Sequence, residues 1–180
     1  MPFRFQPLSL AGAVRIEPRL FSDERGYFLE TYQRAAFRAA GIQDEFVQDN
    51  RSRSAKHVLR GLHFQHEPFA QGKLVHVVHG EAWDVIVDIR RGSPSFGKWE
   101  AVVLSEENRR MVYVPPGFAH GFIAMADGTE LLYKVTADYA PSRDAGVVWN
   151  DPDLGIAWPV ENPILSSKDR ALPRFRDVVL

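Results

Sequence analysis

Short apolar runs with alternating polar positions fill the middle of the chain, between about Val58 and Thr136. Alternation with a period of two is typical of a half-buried β-strand. In the run from Glu81 to Ile89, every second residue from Trp83 onward is large and apolar. The predicted strands cover Lys73 to Val78, Glu81 to Ile89, Trp99 to Leu104, Arg110 to Val114, Gly121 to Met125 and Thr129 to Thr136. Short strands at this spacing predict an all-β sandwich or barrel.

Outside this region the chain has few regular signals. His79-Gly80 separates the first two predicted strands and predicts a tight hairpin turn. Tyr32 to Ala40 predicts one short peripheral helix, closed by Gly41. The segment from Asp151 to Leu180 contains four prolines, so we expect irregular chain that wraps the sheets, with one short turn near Ser166 to Arg170. Polar residues of this segment are expected to close over a pocket.

Length and composition narrow the class of protein. At about 100–200 residues per domain, the 180 residues predict a single domain covering residues 1–180. The formal charge of -1 leaves no global field for a polyanion, which disfavours nucleic acid as the main partner. The absence of cysteine excludes disulfides, thiolate metal sites and cysteine nucleophiles. No secretory leader or membrane-spanning stretch is recognisable, so we expect a cytoplasmic protein that does not bind a membrane.

Several charged or reactive side chains interrupt the apolar runs. Arg60 and His63 lie within Val58 to Gln65, Lys73 opens one strand, and Tyr133 lies in another. Burying an unpaired charge costs several kcal/mol, so each residue requires a reason. Taken one at a time, His63 and Arg60 suit a functional role as well as a structural one, as a hydrogen-bonded core histidine and an ion pair. Lys73 and Tyr133 are better explained by structural roles, as a lysine reaching solvent and a buried phenol with one partner.

A metal site is the other chemistry that the sequence raises. The possible ligands are His63, His66, His120, Glu67 and Glu81. Because His63 and His66 are three residues apart, a regular strand points them to opposite faces, and they cannot chelate together. The sequence therefore predicts no metal. His120 follows a Pro-Gly turn, a place that suits either a ligand-binding residue at the mouth of a barrel or a side chain that stabilises the turn.

Blocks along the chain resemble one enzyme family. They are Asp23–Gly26, Asp49–Ser54, Val58–Gln65, Gln71–Val75, Asp88–Pro94, Phe96–Trp99, Pro115–Phe122, Tyr133–Lys134, Asp138–Pro141 and Asp151–Ile156. In this order they resemble the dTDP-4-dehydrorhamnose 3,5-epimerases, from about Glu17 to Asp169. The resemblance implies an all-β, cupin-type jelly roll with a few short peripheral helices. It further implies a homodimer with active sites near the interface, no metal or organic cofactor, and epimerisation of dTDP-4-dehydro-6-deoxy-D-glucose at C3 and C5.

The resemblance assigns four catalytic roles, and the reaction needs each of them. A ketone at C4 acidifies the protons on both neighbouring carbons, so a base, a cation beside the enolate oxygen and an acid on the opposite face are required. His63 matches the base and Asp169 the carboxylate that orients it. Lys73 matches the cation near the C4 oxygen. Tyr133 matches the acid, and an ordinary phenol, with a pKa near 10, is protonated at neutral pH.

The substrate-binding positions also come from the resemblance. They are Arg25, Glu30, Gln48, Asp49, Asn50, Arg60, Lys73, His120, Tyr139, Asp144 and Lys168. Arginine forks suit a diphosphate, and Tyr139 matches the residue that stacks on thymine. The family commonly has glutamate where this chain has Asp144. On one regular strand Arg60 and His63 face opposite sides, so both can serve one pocket only through a bulge, a strand end or a contribution to the site of a partner subunit. We favour the last of these three alternatives.

Other functions remain open at this point. A single-site epimerase or ketoisomerase on a related deoxyketosugar nucleotide keeps the same residues and differs in its product. A sugar-nucleotide-binding module without turnover is expected to lack His63 or Tyr133, and both are present. A metal-dependent cupin oxygenase needs stoichiometric iron, which a metal assay detects.

Overall fold

The computed structural model describes residues 2–178. The order of elements is β1 (Phe3–Pro7), β2 (Val14–Pro18), β3 (Phe21–Asp23), β4 (Gly26–Phe28), α1 (Arg34–Ala39), β5 (Gln48–Ser54), β6 (Leu59–Gln65), β7 (Lys73–His79), β8 (Glu81–Asp88), β9 (Trp99–Ser105), β10 (Met111–Val114), β11 (Phe118–Ala124), β12 (Thr129–Val135), β13 (Asp144–Gly146) and α2 (Ser167–Arg170). Strands dominate, as the alternating pattern predicts. Single 3₁₀ turns occupy Pro141–Arg143 and Phe175–Asp177.

Two antiparallel sheets form a sandwich, which confirms the all-β prediction. The six-stranded sheet has the order β1-β2-β10-β7-β12-β5, and the five-stranded sheet has the order β13-β6-β11-β8-β9. The small β3-β4 hairpin forms a separate ladder. The hairpin predicted around His79-Gly80 is wrong, because β7 and β8 belong to different sheets and the chain crosses between them at Gly80. An added Cβ at Gly80 would lie 2.7 Å from Thr129 Oγ1, so this crossing needs glycine.

The core lies in three layers. The central layer, between the sheets, includes Ile86, Phe118, Phe122 and Leu131. The outer face of the six-stranded sheet is covered by α1, whose Phe37 is fully buried. The outer face of the five-stranded sheet is covered by the C-terminal segment, through residues such as Val147, Leu154 and Trp158. Both sheets are therefore covered by apolar groups over part of each face.

The two helices are close to their predicted positions. Helix α1 is shorter than the predicted Tyr32 to Ala40, because Gln33 is extended and serves as the N-cap. Gly41, with φ of +92°, ends this helix as predicted. Helix α2 occupies the predicted turn near Ser166 to Arg170. The segment before and after it wraps the five-stranded sheet, where buried Asp151 accepts a backbone hydrogen bond from Phe175. This wrapping brings α2 to the open end of β6.

Candidate active site

A cavity of about 320 Å³ opens between the two sheets. It is lined by Ser52, Arg60, His63, Lys73, His120, Phe122, Leu131, Tyr133, Ser166, Lys168 and Asp169. The inner rows of the sheets explain this set. His120 alternates with the core residues Phe118 and Phe122 along β11, and Lys73 occupies the same row of β7 as Val75 and Val77. Seven of the predicted site residues thus line one cavity of a single chain.

Arg60 and His63 face the same cavity of one chain, through a bulge, which is one of the three alternatives expected from the sequence, although not the favoured one. In the ladder between β6 and β11, His63 pairs with His120 and Arg60 pairs with Phe122, with a register shift between them. Three steps along β6 match two steps along β11, which is the signature of a β-bulge. The bulge lies at Gly61, whose φ is +131° and whose added Cβ would lie 2.6 Å from Gly121 Cα. A partner subunit is not needed to explain Arg60.

His63 belongs to a chain of hydrogen bonds that ends at the N-cap of α2. Its Nε2 lies 2.6 Å from Asp169 Oδ1, and Ser166 Oγ donates to Asp169 Oδ2 at 2.8 Å. The backbone N–H of Asp169 in turn donates to Ser166 Oγ. Asp169 is only 3% exposed. Burial alone would raise the pKa of this carboxyl, but the hydrogen bonds from His63 and Ser166 outweigh burial and lower it. The carboxylate is therefore charged at neutral pH.

Lys73 and Tyr133 reach the cavity from the opposite, six-stranded sheet. Lys73 is 7% exposed, and its Nζ lies 3.4 Å from the carbonyl oxygen of His63. Burial lowers the pKa of Lys73 to about 8, against the attraction of nearby carboxylates. Burial also raises the pKa of the Tyr133 phenol, partly opposed by Arg60. At neutral pH the cavity thus holds a mainly cationic amine and a protonated phenol.

The rim of the cavity is a small polar cluster around Asp144. Its Oδ2 accepts hydrogen bonds from the Tyr139 hydroxyl, at 3.0 Å, and from Lys168 Nζ. The Tyr139 side chain is 56% exposed. Burial opposes the charge on Lys168, but the hydrogen bond to Asp144 outweighs it and raises the pKa of the amine. Asp144 therefore fixes both a cation and an exposed aromatic ring beside the opening.

Other predicted binding residues lie outside the cavity lining. Gln48 and Asn50 are on the inner row of β5 and bond to each other, and Gln48 also accepts a hydrogen bond from the Tyr139 backbone. Asp49 is on the outer row, where it pairs with Lys134. The remaining two predicted residues, Arg25 and Glu30, lie in or just after the β3-β4 hairpin. Arg25 is exposed and paired with Asp23, and Glu30 follows β4 with one buried carboxylate oxygen that has no hydrogen-bond partner.

Sequence reasoning missed four lining residues. Phe122 and Leu131 supply apolar wall, Ser52 lies on β5, and Ser166 caps α2. A signal for Ser52 existed in the stretch Gln48–Ser54, where uncharged and charged residues alternate and all seven are polar. The uncharged residues, which include Ser52, are the less exposed ones. Polar alternation gives no hydrophobic periodicity, so the strand was not predicted.

The described residues show no clustered metal ligands. Within residues 2–178, no group of three or more histidine, aspartate or glutamate side chains could hold a metal ion. His63 and His120 each use Nε2 on a carboxylate instead. The absence of a metal cofactor stays a prediction. No helix in the same part of the chain is long and apolar enough to cross a membrane.

Comparison with known proteins identifies the family. The sequence profile described as dTDP-4-dehydrorhamnose 3,5-epimerase matches residues 7–177. The chain belongs to the dTDP-4-dehydrorhamnose 3,5-epimerase family. A member from Methanothermobacter thermautotrophicus is 53% identical over 178 residues, covering 97% of this chain and 96% of the relative. The recognised family is an isomerase family, and the match confirms the resemblance drawn from the sequence blocks.

Solved structures of epimerases share the fold. The dTDP-4-dehydrorhamnose 3,5-epimerase of Bacillus anthracis, with TDP and pyrophosphate bound, is 47% identical with a TM-score of 0.94, covering 96% of this chain and 99% of that one. A 3,5-epimerase of Legionella pneumophila, bound to dTDP-4-keto-L-rhamnose, is 44% identical with a TM-score of 0.95, covering 98% and 95%. These matches confirm the cupin-type jelly roll.

A solved relative with a narrower reaction also matches. A 3′-monoepimerase from Streptomyces bikiniensis, in complex with dTDP-quinovose, is 39% identical to this member of the epimerase family. Its TM-score is 0.89, and the match covers 94% of this chain and 87% of that one. The fold is therefore shared by relatives that are named for single and for double epimerisation.

Proposed function

We propose that the protein inverts C3 and C5 of dTDP-4-dehydro-6-deoxy-D-glucose, giving dTDP-4-dehydro-L-rhamnose for dTDP-L-rhamnose biosynthesis. The observation that carries this proposal is the placement of His63 and Tyr133 on opposite sheets, facing one cavity that also holds Lys73. Inversion requires removal of a proton from one face of a carbon and its return from the other. Family membership supplies the substrate, and the geometry supports the type of reaction.

The base is His63. Its Nε2 is engaged by Asp169, so Nδ1 takes the substrate proton. Asp169 is ionised because its pKa is lowered, and it stabilises the imidazolium that forms. A neutral imidazole nitrogen can accept a proton that a neighbouring ketone has made acidic.

Lys73 stabilises the enolate. When the base removes the proton, charge develops on the C4 oxygen, and a nearby ammonium favours the enolate over the ketone. Because burial lowers the pKa of Lys73 to about 8, the amine is mainly cationic at neutral pH and gives up that charge readily. Because Lys73 is only 7% exposed, little water screens the attraction between its ammonium and the enolate oxygen.

Tyr133 returns the proton. Tyr133 lines the cavity from strand β12 of the six-stranded sheet, whereas His63 lines it from strand β6 of the other sheet. Burial raises the pKa of the phenol, so it remains a donor at neutral pH. Each inversion then consumes one proton from the acid and loads one on the base, and exchange with solvent resets both groups.

The nucleotide end is bound at the cavity rim in this proposal. Arg60, His120 and Lys168 offer donors to the diphosphate, and the exposed ring of Tyr139 offers a face for thymine. Arg25 lies in the turn of the β3-β4 hairpin and Glu30 follows it, and neither lines the cavity. In this proposal they contact the substrate of a second copy of the chain. A homodimer with active sites near the interface, and a cytoplasmic location, belong to the same proposal and are supported by family membership.

Epimerisation of one carbon is the second candidate. It is favoured by the 39% identical relative from Streptomyces bikiniensis, which is named a 3′-monoepimerase and has the same fold. The cavity described above serves both reactions, because one base beside a C4 ketone can reach either neighbouring carbon. The presence of Tyr133 favours the double reaction.

Product analysis in deuterated water separates the candidates. The protein, stripped of metal, is incubated with dTDP-4-dehydro-6-deoxy-D-glucose and a rhamnose-forming reductase, and proton NMR follows deuterium entry at C3 and C5. We expect deuterium at both carbons and an L-rhamnose product. Deuterium at one carbon establishes the single-site reaction, and the absence of exchange at both carbons contradicts the proposed activity.

A further inference from the structure

Asp84 is a carboxylate in an apolar row. On the inner face of β8 it lies between Ala82 and Ile86, both of which belong to the core between the sheets. Asp84 is 1% exposed and pairs across the ladder with Phe122, which lines the cavity. A buried carboxylate at such a position is costly unless it is paired, and no salt bridge to a lysine or arginine is present among the described residues. The free-energy cost of burying Asp84 indicates that this carboxylate has a function in the cavity.

The contacts of Asp84 point toward the cavity. Its Oδ2 lies 2.8 Å from Nε2 of His120, which lines the cavity and is 8% exposed. Its Oδ1 is buried and has no hydrogen-bond partner in the described part of the chain. A buried acceptor with no partner is rare in folded proteins and is a common mark of a functional position.

Asp84 is the carboxylate that acts most strongly on the amine of Lys73. Lys73 lies on the inner row of β7, in the same inter-sheet space as Asp84. Desolvation lowers the pKa of Lys73, and the attraction of Asp84 is the largest opposing effect, followed by that of Asp144. The other titratable groups that line the cavity are Arg60 and His63 from β6, His120 from β11, Tyr133 from β12, and Lys168 and Asp169 from α2.

We propose that Asp84 is a positioning residue that keeps Lys73 protonated for the enolate and holds the His120 ring at the cavity wall. This inference rests on the proposed function, because it gives the charge on Lys73 a task. The carboxylate acts through space on Lys73 and through a hydrogen bond on His120. Neutralising Asp84 leaves the burial of Lys73 in place and removes its main counter-charge, so the amine becomes easier to deprotonate.

The first test is substrate-free. The ε-carbon of Lys73 is followed by NMR against pH in the full-length protein with ¹³C-labelled lysine, and its resonance is assigned with Lys73→Arg. In Asp84→Asn we expect the midpoint to move to lower pH by roughly one unit or more, the effect of a nearby opposite charge. Asp144→Asn is the matched control, and its shift is expected to be smaller. An unshifted midpoint in Asp84→Asn, or a larger shift in Asp144→Asn, overturns the proposal.

The wild-type protein gives a readout that needs no folded Asp84 variant. With ¹³C-labelled aspartate, the carboxyl carbon of Asp84 is expected to change at the pH where the Lys73 ε-carbon titrates. A carboxyl signal that stays flat through that pH overturns the coupling.

Kinetics test the consequence for turnover. Because the cation is required, kcat/KM falls as pH rises through the pKa of Lys73, and this alkaline limb is expected to move to lower pH in Asp84→Asn. In the Lys73→Arg background, Asp84→Asn should leave the alkaline limb in place. A uniform loss at all pH values, without a shift of the alkaline limb, overturns the claim that Asp84 keeps Lys73 protonated. If the wild-type protein does not turn over the substrate yet the amine midpoint shifts in Asp84→Asn, the proposed function fails while the coupling between Asp84 and Lys73 stands.

Discussion

The two walls of the cavity hold their reactive groups by different physical means. On the five-stranded sheet, His63 is hydrogen-bonded to Asp169, whose other carboxylate oxygen accepts a hydrogen bond from Ser166. On the six-stranded sheet, Lys73 and Tyr133 have pKa values that are shifted mainly by burial. One wall controls the orientation of its base, and the other controls the ionisation of its cation and its acid.

This difference predicts how each wall fails. A hydrogen-bonded base loses its orientation when its partner is removed, so the rate falls at every pH at which the base is active. A desolvated group keeps its position, and a nearby charge changes the pH at which it works. Variants of the two walls should therefore be distinguishable by pH profile as well as by rate.

Removing the base gives the largest expected effect. In His63→Ala we expect proton exchange to fall by about 10³–10⁴-fold at both C3 and C5, because one general base serves both carbons. His79→Ala is a control, since His79 is exposed and pairs with Glu106 away from the cavity. Proton NMR in deuterated water measures both. Retention of exchange at either carbon in His63→Ala would mean that another base acts there.

Removing the cation comes next. In Lys73→Ala we expect kcat to fall by about 10²–10³-fold, the loss seen when one oxyanion donor is removed. Lys73→Arg keeps a positive charge but replaces the compact ammonium with a planar guanidinium, so it should retain part of the rate that Lys73→Ala loses. Steady-state kinetics of the two variants and the wild type measure these changes in kcat. Equal activity of Lys73→Ala and the wild type would contradict a role for this amine at the enolate oxygen.

The bulge that aligns Arg60 with His63 can be tested through Gly61. In Gly61→Ala the new Cβ meets Gly121 Cα at 2.6 Å, and the positive φ is strained as well. We expect a loss of about 1–3 kcal/mol in the free energy of unfolding beyond that of the control. The control is Gly92→Ala, where φ is also positive and no atom lies within 4 Å. Denaturant unfolding measures both, and equal losses would show that the close approach is unimportant.

The smallest effect is expected from the end of the hydrogen-bond chain. Ser166→Ala removes a donor to Asp169 Oδ2 and the N-cap of α2. Because His63 still holds the other oxygen, we expect kcat to fall about tenfold, comparable to the loss of a supporting partner in other sites. The pKa of Asp169 should rise, since a hydrogen bond that lowers it is gone. An unchanged kcat in a variant that folds normally would remove Ser166 from the positioning of the base.

Periodicity alone predicted much of the sheet core. Alternation along β8 correctly places Trp83, Val85 and Val87 on one face, where they pack under the C-terminal segment. Strand β5 was missed because all of its residues are polar, and a search for hydrophobic periodicity does not detect such a strand. The crossing at Gly80 was mistaken for a hairpin, because a short glycine turn looks the same whether or not the strands it joins are paired.

The site depends on contacts that lie far apart in the chain. His63 and Asp169 are separated by 106 residues, so only the family resemblance suggested their pairing. A bulge that lets Arg60 and His63 share a face was one of the alternatives from the sequence, but a bulge leaves only a glycine as its local signal, so the sequence could not favour it over a partner subunit. Asp84 was overlooked because an aspartate within an apolar run reveals its partner, His120, only when the ladder between β8 and β11 is known.

The central claim is that base and acid act from opposite walls, and Tyr133→Phe tests it most directly. The measurement is the ratio of deuterium exchange to inversion at C3 and C5, followed by proton NMR with dTDP-4-dehydro-6-deoxy-D-glucose in deuterated water. We predict that exchange persists because His63 still removes the proton, whereas inversion falls by about hundredfold or more without the opposite acid. Equal and complete loss of exchange and inversion would contradict the division of work between the two walls.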